Sequence, residues 1–189
     1  QGKRGNALAK ALGADPLLAP FTKIPSKEGG IDVEGLAVAG DRVALGLRGP
    51  VIRDYALLLE LTVSAKKSGA LKLEGMCKRL LDLEGLGIRD LKRLGDDLLI
   101  LAGPTAGLDG PCRVHRWRNW LGEPPQHADL LAVHAPETVL ELEVGRGCDH
   151  PEGLALLPDV GDGPRLLIVC DRPSGARLDA ATGDLSEAN

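Results

Sequence analysis

Three charged residues recur at one place in a phrase the chain writes three times: Glu34-Gly35-Leu36-Ala37, Ile88-Arg89-Asp90-Leu91 and Glu152-Gly153-Leu154-Ala155. If the repeats fold alike, Glu34, Arg89 and Glu152 converge, with Asp90 beside the second. Two carboxylates that face each other repel, and either a bound cation or the intervening guanidinium relieves the repulsion. An oxygen-rich set of this kind suits Ca2+ or Mg2+ better than zinc, with Glu34 and Glu152 as the ligands. His150 adds a general base or a nitrogen ligand, and Asp90 is a second candidate base. Arg48 and Arg172 stand just ahead of prolines that close apolar strands. With Arg89 they are suited to bidentate contacts with an anionic ligand. The competing assignment is structural: Arg89 pairs with Glu34 or Glu152 as a staple between neighbouring repeats, and the other arginines lie on the surface.

Each phrase is followed by a turn and an apolar strand. Gly40-Asp41 turns into Val43-Ala44-Leu45-Gly46-Leu47, Gly95-Asp96 into Leu98-Leu99-Ile100-Leu101, and a longer turn from Asp159 to Pro164 into Leu166-Leu167-Ile168-Val169. The strands run into Pro50, Pro104 and Pro173. Short strands broken by Gly, Asp and Pro form an all-β pattern, and a repeat of this length is near that of propeller blades once loops are allowed for. The expected fold is all-β and β-propeller-like, with three to four blades starting near 34, 89 and 152 in a domain of residues 31–189. Three copies do not comfortably close a ring, so an incomplete wheel with exposed edges is expected.

The expected strands are 33–39, 42–48, 54–63 and 70–76 in the first blade. In the second they are 79–83 or 88–93, then 97–102, 111–118 and 128–134. In the third they are 139–144 or 152–157, then 165–171 and 176–179, with a turn at Thr182-Gly183. Ahead of them, residues 1–30 read as helix and loop, with Leu8 and Leu12 among good helix formers and Asp15-Pro16 ending the run.

The composition, 43% hydrophobic against 26% charged in 189 residues, is that of a globular chain with a sizeable core. Aromatics are limited to Phe21, Tyr55, Trp117 and Trp120, so that core must be aliphatic. A net charge of -4 argues against a nucleic-acid footprint, which needs a basic surface. No apolar run approaches the roughly 18 residues that span a bilayer, so no membrane span is expected. Nothing near Gln1 resembles the apolar core of a signal peptide, and export cannot be read here: either a leader has been removed or the chain starts inside a longer protein, so the compartment is unknown, with soluble and cytoplasmic as the default. Cys77, Cys112, Cys148 and Cys170 lack metal-ligand spacing and read as buried thiols. Trp117 and Trp120 read as rim or packing residues. The chain has no GxSxG elbow, HExxH helix, P-loop or GxGxxG.

Five motifs in order, Asp32-Val33-Glu34-Gly35-Leu36-Ala37, Leu45-Gly46-Leu47-Arg48-Gly49-Pro50, Gly87-Ile88-Arg89-Asp90-Leu91, Leu101-Ala102-Gly103-Pro104 and Pro151-Glu152-Gly153-Leu154-Ala155, resemble a bacterial family of propeller-like proteins catalogued only as a domain of unknown function. The resemblance covers most of the chain and implies its C-terminal portion in longer members. It implies a propeller-type fold and supplies neither a reaction nor a cofactor.

The expected role is therefore a propeller-like binding or scaffold module with an anion or cation site at the channel mouth. Its expected partners are a small anionic ligand, a further copy, or a missing propeller segment. The alternative is a metal-dependent hydrolase of esterase, lactonase or phosphoesterase type, with channel carboxylates holding the metal.

Overall fold

The computed structural model describes residues 6–105, 110–124, 131–143, 148–158, 163, 165–172, 181, 182 and 184. Its architecture is mostly β: three sheets follow one another along the chain, and a short helix, α1 (Ala7–Ala14), precedes them. The strands are β1 (Asp32–Ala39), β2 (Arg42–Gly49), β3 (Tyr55–Ala65), β4 (Leu71–Asp82), β5 (Gly87–Leu94), β6 (Asp97–Gly103), β7 (Cys112–Trp117), β8 (Ala132–His134), β9 (Glu137–Leu142), β10 (His150–Leu157) and β11 (Arg165–Arg172). The first sheet has the order β1-β2-β3-β4-β8, the second β5-β6-β7-β9 and the third β10-β11.

The two Gly-Asp turns do what the sequence asks of them. Gly40 and Gly95 take φ of 63° and 61°, the left-handed conformation that a two-residue hairpin needs at its first position and that glycine adopts without strain. Each turn joins the first two strands of its sheet, pairing β1 with β2 and β5 with β6.

The sheets pack face to face. Between the first and second lie Ala37, Ala44, Ala56, Leu58, Ile88, Leu91, Leu98, Ile100, Trp117 and Trp120, all buried. Small residues on the first sheet make the fit possible: a Cβ on Gly35 would stand 2.7 Å from Leu91 Cγ, and one on Gly46 would stand 2.3 Å from Ile88 Cγ2. Between the second and third sheets lie Leu99, Leu101, Val114 and Leu154. On the opposite face of the first sheet α1 and the segment after it cover β2 and β3, with Leu12 and Leu18 against Leu47, Leu57, Leu59 and Leu61, while Leu36 and Val38 of β1 stay exposed. Asn6 caps α1 by accepting from Ala9 N, and Lys78 on β4 pairs with Asp15 where the helix ends. No helix among the described residues is long and apolar enough to cross a membrane.

The strand order corrects the expected blade boundaries. β4 runs on to Asp82, so residues 79–83 finish the first sheet rather than start the second. The second sheet takes β9 as its fourth strand, and residues 132–134 of the expected 128–134 strand return to lie parallel beside β4. Register makes the exchange possible, since Arg79, Leu80 and Leu81 on the outer side of β4 are open to Ala132, Val133 and His134. The expected 176–179 strand and Gly183 fall outside the described residues. Trp117 and Trp120 are buried packing residues. The cysteines divide: Cys77 and Cys112 are buried, Cys148 is half-buried and Cys170 is exposed.

Candidate functional site

Each sheet carries a β-bulge near the start of its first strand, and the three repeat-equivalent charged residues sit at these bulges. The register breaks between Val33 and Gly35 around Glu34, between Ile88 and Asp90 around Arg89, and between Pro151 and Gly153 around Glu152. A bulge leaves its extra residue unpaired and re-aims its side chain. Here three bulges turn three charges toward one another.

Arg89 stands in the middle and is 2% exposed. Its Nη1 donates to Glu34 Oε2 at 3.1 Å and its Nη2 lies 2.9 Å from Glu152 Oε1, so one guanidinium ties the first, second and third sheets together. Gly103 leaves space for it: a Cβ there would stand 3.2 Å from Arg89 Cγ. The other oxygen of Glu34 accepts from Arg48 Nη1 at 3.0 Å. Arg48 Nε also lies 3.4 Å from Asp32 Oδ2, and Lys27 is 3.6 Å and 3.7 Å from Asp32 and Glu34. The arrangement is a ladder of alternating charge, Lys27, Asp32, Arg48, Glu34, Arg89 and Glu152. Burial pushes the Glu152 carboxyl above the usual carboxylate range, with Arg89 pulling it back and Glu34 pushing it further.

Asp90 points elsewhere. Its Oδ2 accepts from Leu154 N at 2.8 Å and its Oδ1 from Leu91 N at 2.7 Å, while Lys92 Nζ lies 3.3 Å from Oδ2. It therefore satisfies the free backbone edge of β10 from the neighbouring sheet. His150 opens β10 opposite Arg172 and is half-buried. The side chain of Arg172 lies outside the described residues. Arg48 borders a cavity of about 410 Å³ that is also lined by Phe21, Ser26, Lys27, Pro50 and Thr105. Among the described residues, no group of three or more His, Cys, Asp or Glu side chains is arranged to hold a metal ion.

A family model described as a protein of unknown function (DUF3616) matches residues 1–185. The chain belongs to that family. No curated protein and no solved structure matches it. The family match spans all three bulged repeats and the helix ahead of them.

A second charged cluster escaped the sequence reading. Glu60, on β3, accepts from Arg79 Nε at 2.9 Å and from Trp120 Nε1 at 3.3 Å, and it pairs with Arg42 Nη2 at 2.9 Å. Arg79 is 2% exposed. Arg42 also donates to the carbonyls of Trp120, Leu121 and Glu123, and Arg79 to that of Pro124. The cluster thus fastens the segment after β7 to the first sheet. Glu60 as the lone charge in the apolar run from Tyr55 to Val63 was the available signal. His134 stacks on Trp117 with ring centroids 4.3 Å apart, and burial first, then Arg79, lowers its pKa.

Proposed function

We propose that the chain is a section of a β-propeller-like wheel that serves as a binding or scaffold module, held together at the mouth of its axis by Arg89. The carrying observation is that Arg89 bonds to Glu34 and Glu152 at once. A metal-dependent hydrolase needs its carboxylates turned to a common point open to solvent. Here Glu34 is engaged by two arginines, Glu152 by Arg89, and Asp90 by backbone amides. Guanidinium bridging satisfies the carboxylates without a metal ion. The wheel reading draws support from the three hairpin-built sheets stacked in order. It also draws on the apolar residues left open at both ends of the stack, Val33, Leu36 and Val38 on β1 and Leu167 and Val169 on β11.

Thermal melting with EDTA, Ca2+, Mg2+, Mn2+ or Zn2+ tests this proposal. The expected result is a melting temperature independent of all of them. A rise with one divalent ion that Glu152→Gln removes would transfer Glu34 and Glu152 to a metal site and revive the hydrolase reading, because a ligand that binds only the folded state stabilises it.

A further inference from the structure

Two of the four histidines, His115 on β7 and His134 on β8, flank the stretch that passes from the first sheet to the second. That stretch, residues 132–142, lays Ala132, Val133 and His134 beside Arg79, Leu80 and Leu81 of β4 and then sets β9 beside β7. Little apolar burial holds it. Val133, Val139 and Leu140 are 52%, 46% and 43% exposed, and the register of β9 against β7 breaks beside His115. A segment with few buried apolar contacts opens at low cost, so the polar contacts along it decide whether it stays seated.

Both histidines make contacts that require a neutral ring. Arg79 Nη1 lies 3.4 Å from His134 Nε2. A guanidinium only donates, so Nε2 presents its lone pair and the ring proton sits on Nδ1. Protonation sets two cations against each other, and Trp117 offers no relief: His134 stacks on its ring while the Arg79 guanidinium already stands 5.6 Å from the centroid. The charges around them balance without a proton, Arg79 and Arg42 against Glu60 and Glu123. His115 is 1% exposed. Its Nδ1 lies 3.2 Å from Thr138 Oγ1, and among the described residues its buried Nε2 has no hydrogen-bond partner. An imidazolium carries an N–H on both nitrogens, so protonation leaves a charged donor buried and unpaired. The acids that act on it, Asp82 at the end of β4 and Glu84 in the turn after it, are exposed, and Glu84 already pairs with Arg113. Burial first lowers the pKa of both rings. Arg113 adds to this at His115 and Arg79 at His134, while the Pro136 carbonyl, Glu84 and Asp82 oppose it at the first and Glu123 and Glu60 at the second.

We propose that residues 132–142 form a pH-sensitive clasp: neutral His134 seats β8 on the first sheet, neutral His115 seats β9 on the second, and protonation of the two rings in mildly acid solution releases the segment from both. Release bares the outer edges of β4 and β7, which then present unpaired backbone to a further strand. The device lies apart from the Arg89 bridge and goes beyond the scaffold role proposed above.

Hydrogen exchange of the full chain at about pH 7.5 and about pH 5.5, expressed as protection factors so that the pH dependence of intrinsic exchange divides out, reads the clasp directly. A histidine with a lowered folded pKa gives stability that is present above its unfolded value, about 6.5, and is lost as pH falls through the folded one. The expected result is a loss of protection confined to 132–142 and the β4 and β7 amides that pair with it. The loss is up to about tenfold for each histidine and about a hundredfold for both, while β2, β3 and β6 keep their protection. The amides of β10 and β11 report titration of Glu152 separately. His134→Gln keeps an acceptor for Arg79, His115→Asn keeps a polar atom for Thr138, and neither replacement titrates; each is expected to remove about tenfold of the pH effect and the pair to remove it all. For a variant that fails to fold, the native chain decides alone, because both histidine ring protons should titrate below about 6.5 by NMR. Protection that does not change between the two pH values, a loss spread over β2, β3 and β6, variants that keep the full pH dependence, or rings that titrate at or above the ordinary value overturns the proposal.

Discussion

Replacing Arg89 by methionine keeps much of the volume of the side chain and deletes its charge. Breaking a buried ion pair by removing one partner costs roughly 3–5 kcal/mol, because the other charge is left uncompensated. Arg89 is 2% exposed, but the carboxylates it bridges keep 19% and 24% of their side-chain surface in water, and Glu34 retains Arg48. Most of the loss therefore falls on Glu152, and about 2–3 kcal/mol is the expected destabilisation. In a chain of this size that lowers the melting temperature by roughly 4–12 °C. The pH dependence adds a sharper test. Glu152 has a raised folded-state pKa, so its stabilising contribution is fully present below the unfolded-state value and is lost as pH rises through the folded one. Arg89 is the group that pulls this carboxyl down, and without it the folded value climbs further. The deficit of Arg89→Met against the native chain should therefore be largest near neutrality and shrink as pH falls into the carboxylate range. Adding Glu152→Gln should recover about half of the loss at neutral pH, read as a double-mutant cycle from urea denaturation. A variant that melts within a degree of the native chain, or a deficit that does not change with pH, would refute the idea that Arg89 holds the sheets by charge.

Two further predictions follow from single side chains. Asp90→Ala leaves the Leu154 amide without its acceptor, at a cost of about 1–3 kcal/mol, and hydrogen exchange should show faster opening along β10 while β6 and β7 keep their protection. Glu60→Gln leaves Arg79 and Arg42 without their carboxylate and should cost about 3–5 kcal/mol in urea denaturation with a red-shifted Trp120 emission; unchanged emission and stability would show that the cluster is incidental.

The hairpins were legible because their signals are local: Gly40-Asp41 and Gly95-Asp96 specify the turns, and the apolar runs beside them specify the strands. The repeat also put Glu34, Arg89 and Glu152 on one level. What it did not disclose is the bulge under each of them, since a one-residue slip in pairing leaves no mark in composition. Nor did it separate the fates of the three acids. Asp90 reads as a base beside an arginine, and only the approach of β10 makes it an acceptor for a neighbouring backbone. The Arg42, Glu60 and Arg79 cluster was hidden for a related reason, because burial of these charges is decided by Trp120 and its loop, far away in sequence. The strand at β8 was legible within 128–134, but its parallel pairing with β4, on the far side of β5, β6 and β7 in sequence, was not.

That short strand links the assembly of the first two sheets. The first sheet lays down its last antiparallel strand by Asp82, yet its edge is not finished until Ala132–His134 arrive, after β5, β6 and β7 have passed through the second sheet. β9 then turns back to close the second sheet. Neither sheet can complete itself before the other has begun, so the pair should fold and unfold as one cooperative unit, with slow long-range closure setting the rate. Among the described residues the third sheet has no such interlacing, and it should open from its neighbours without undoing them.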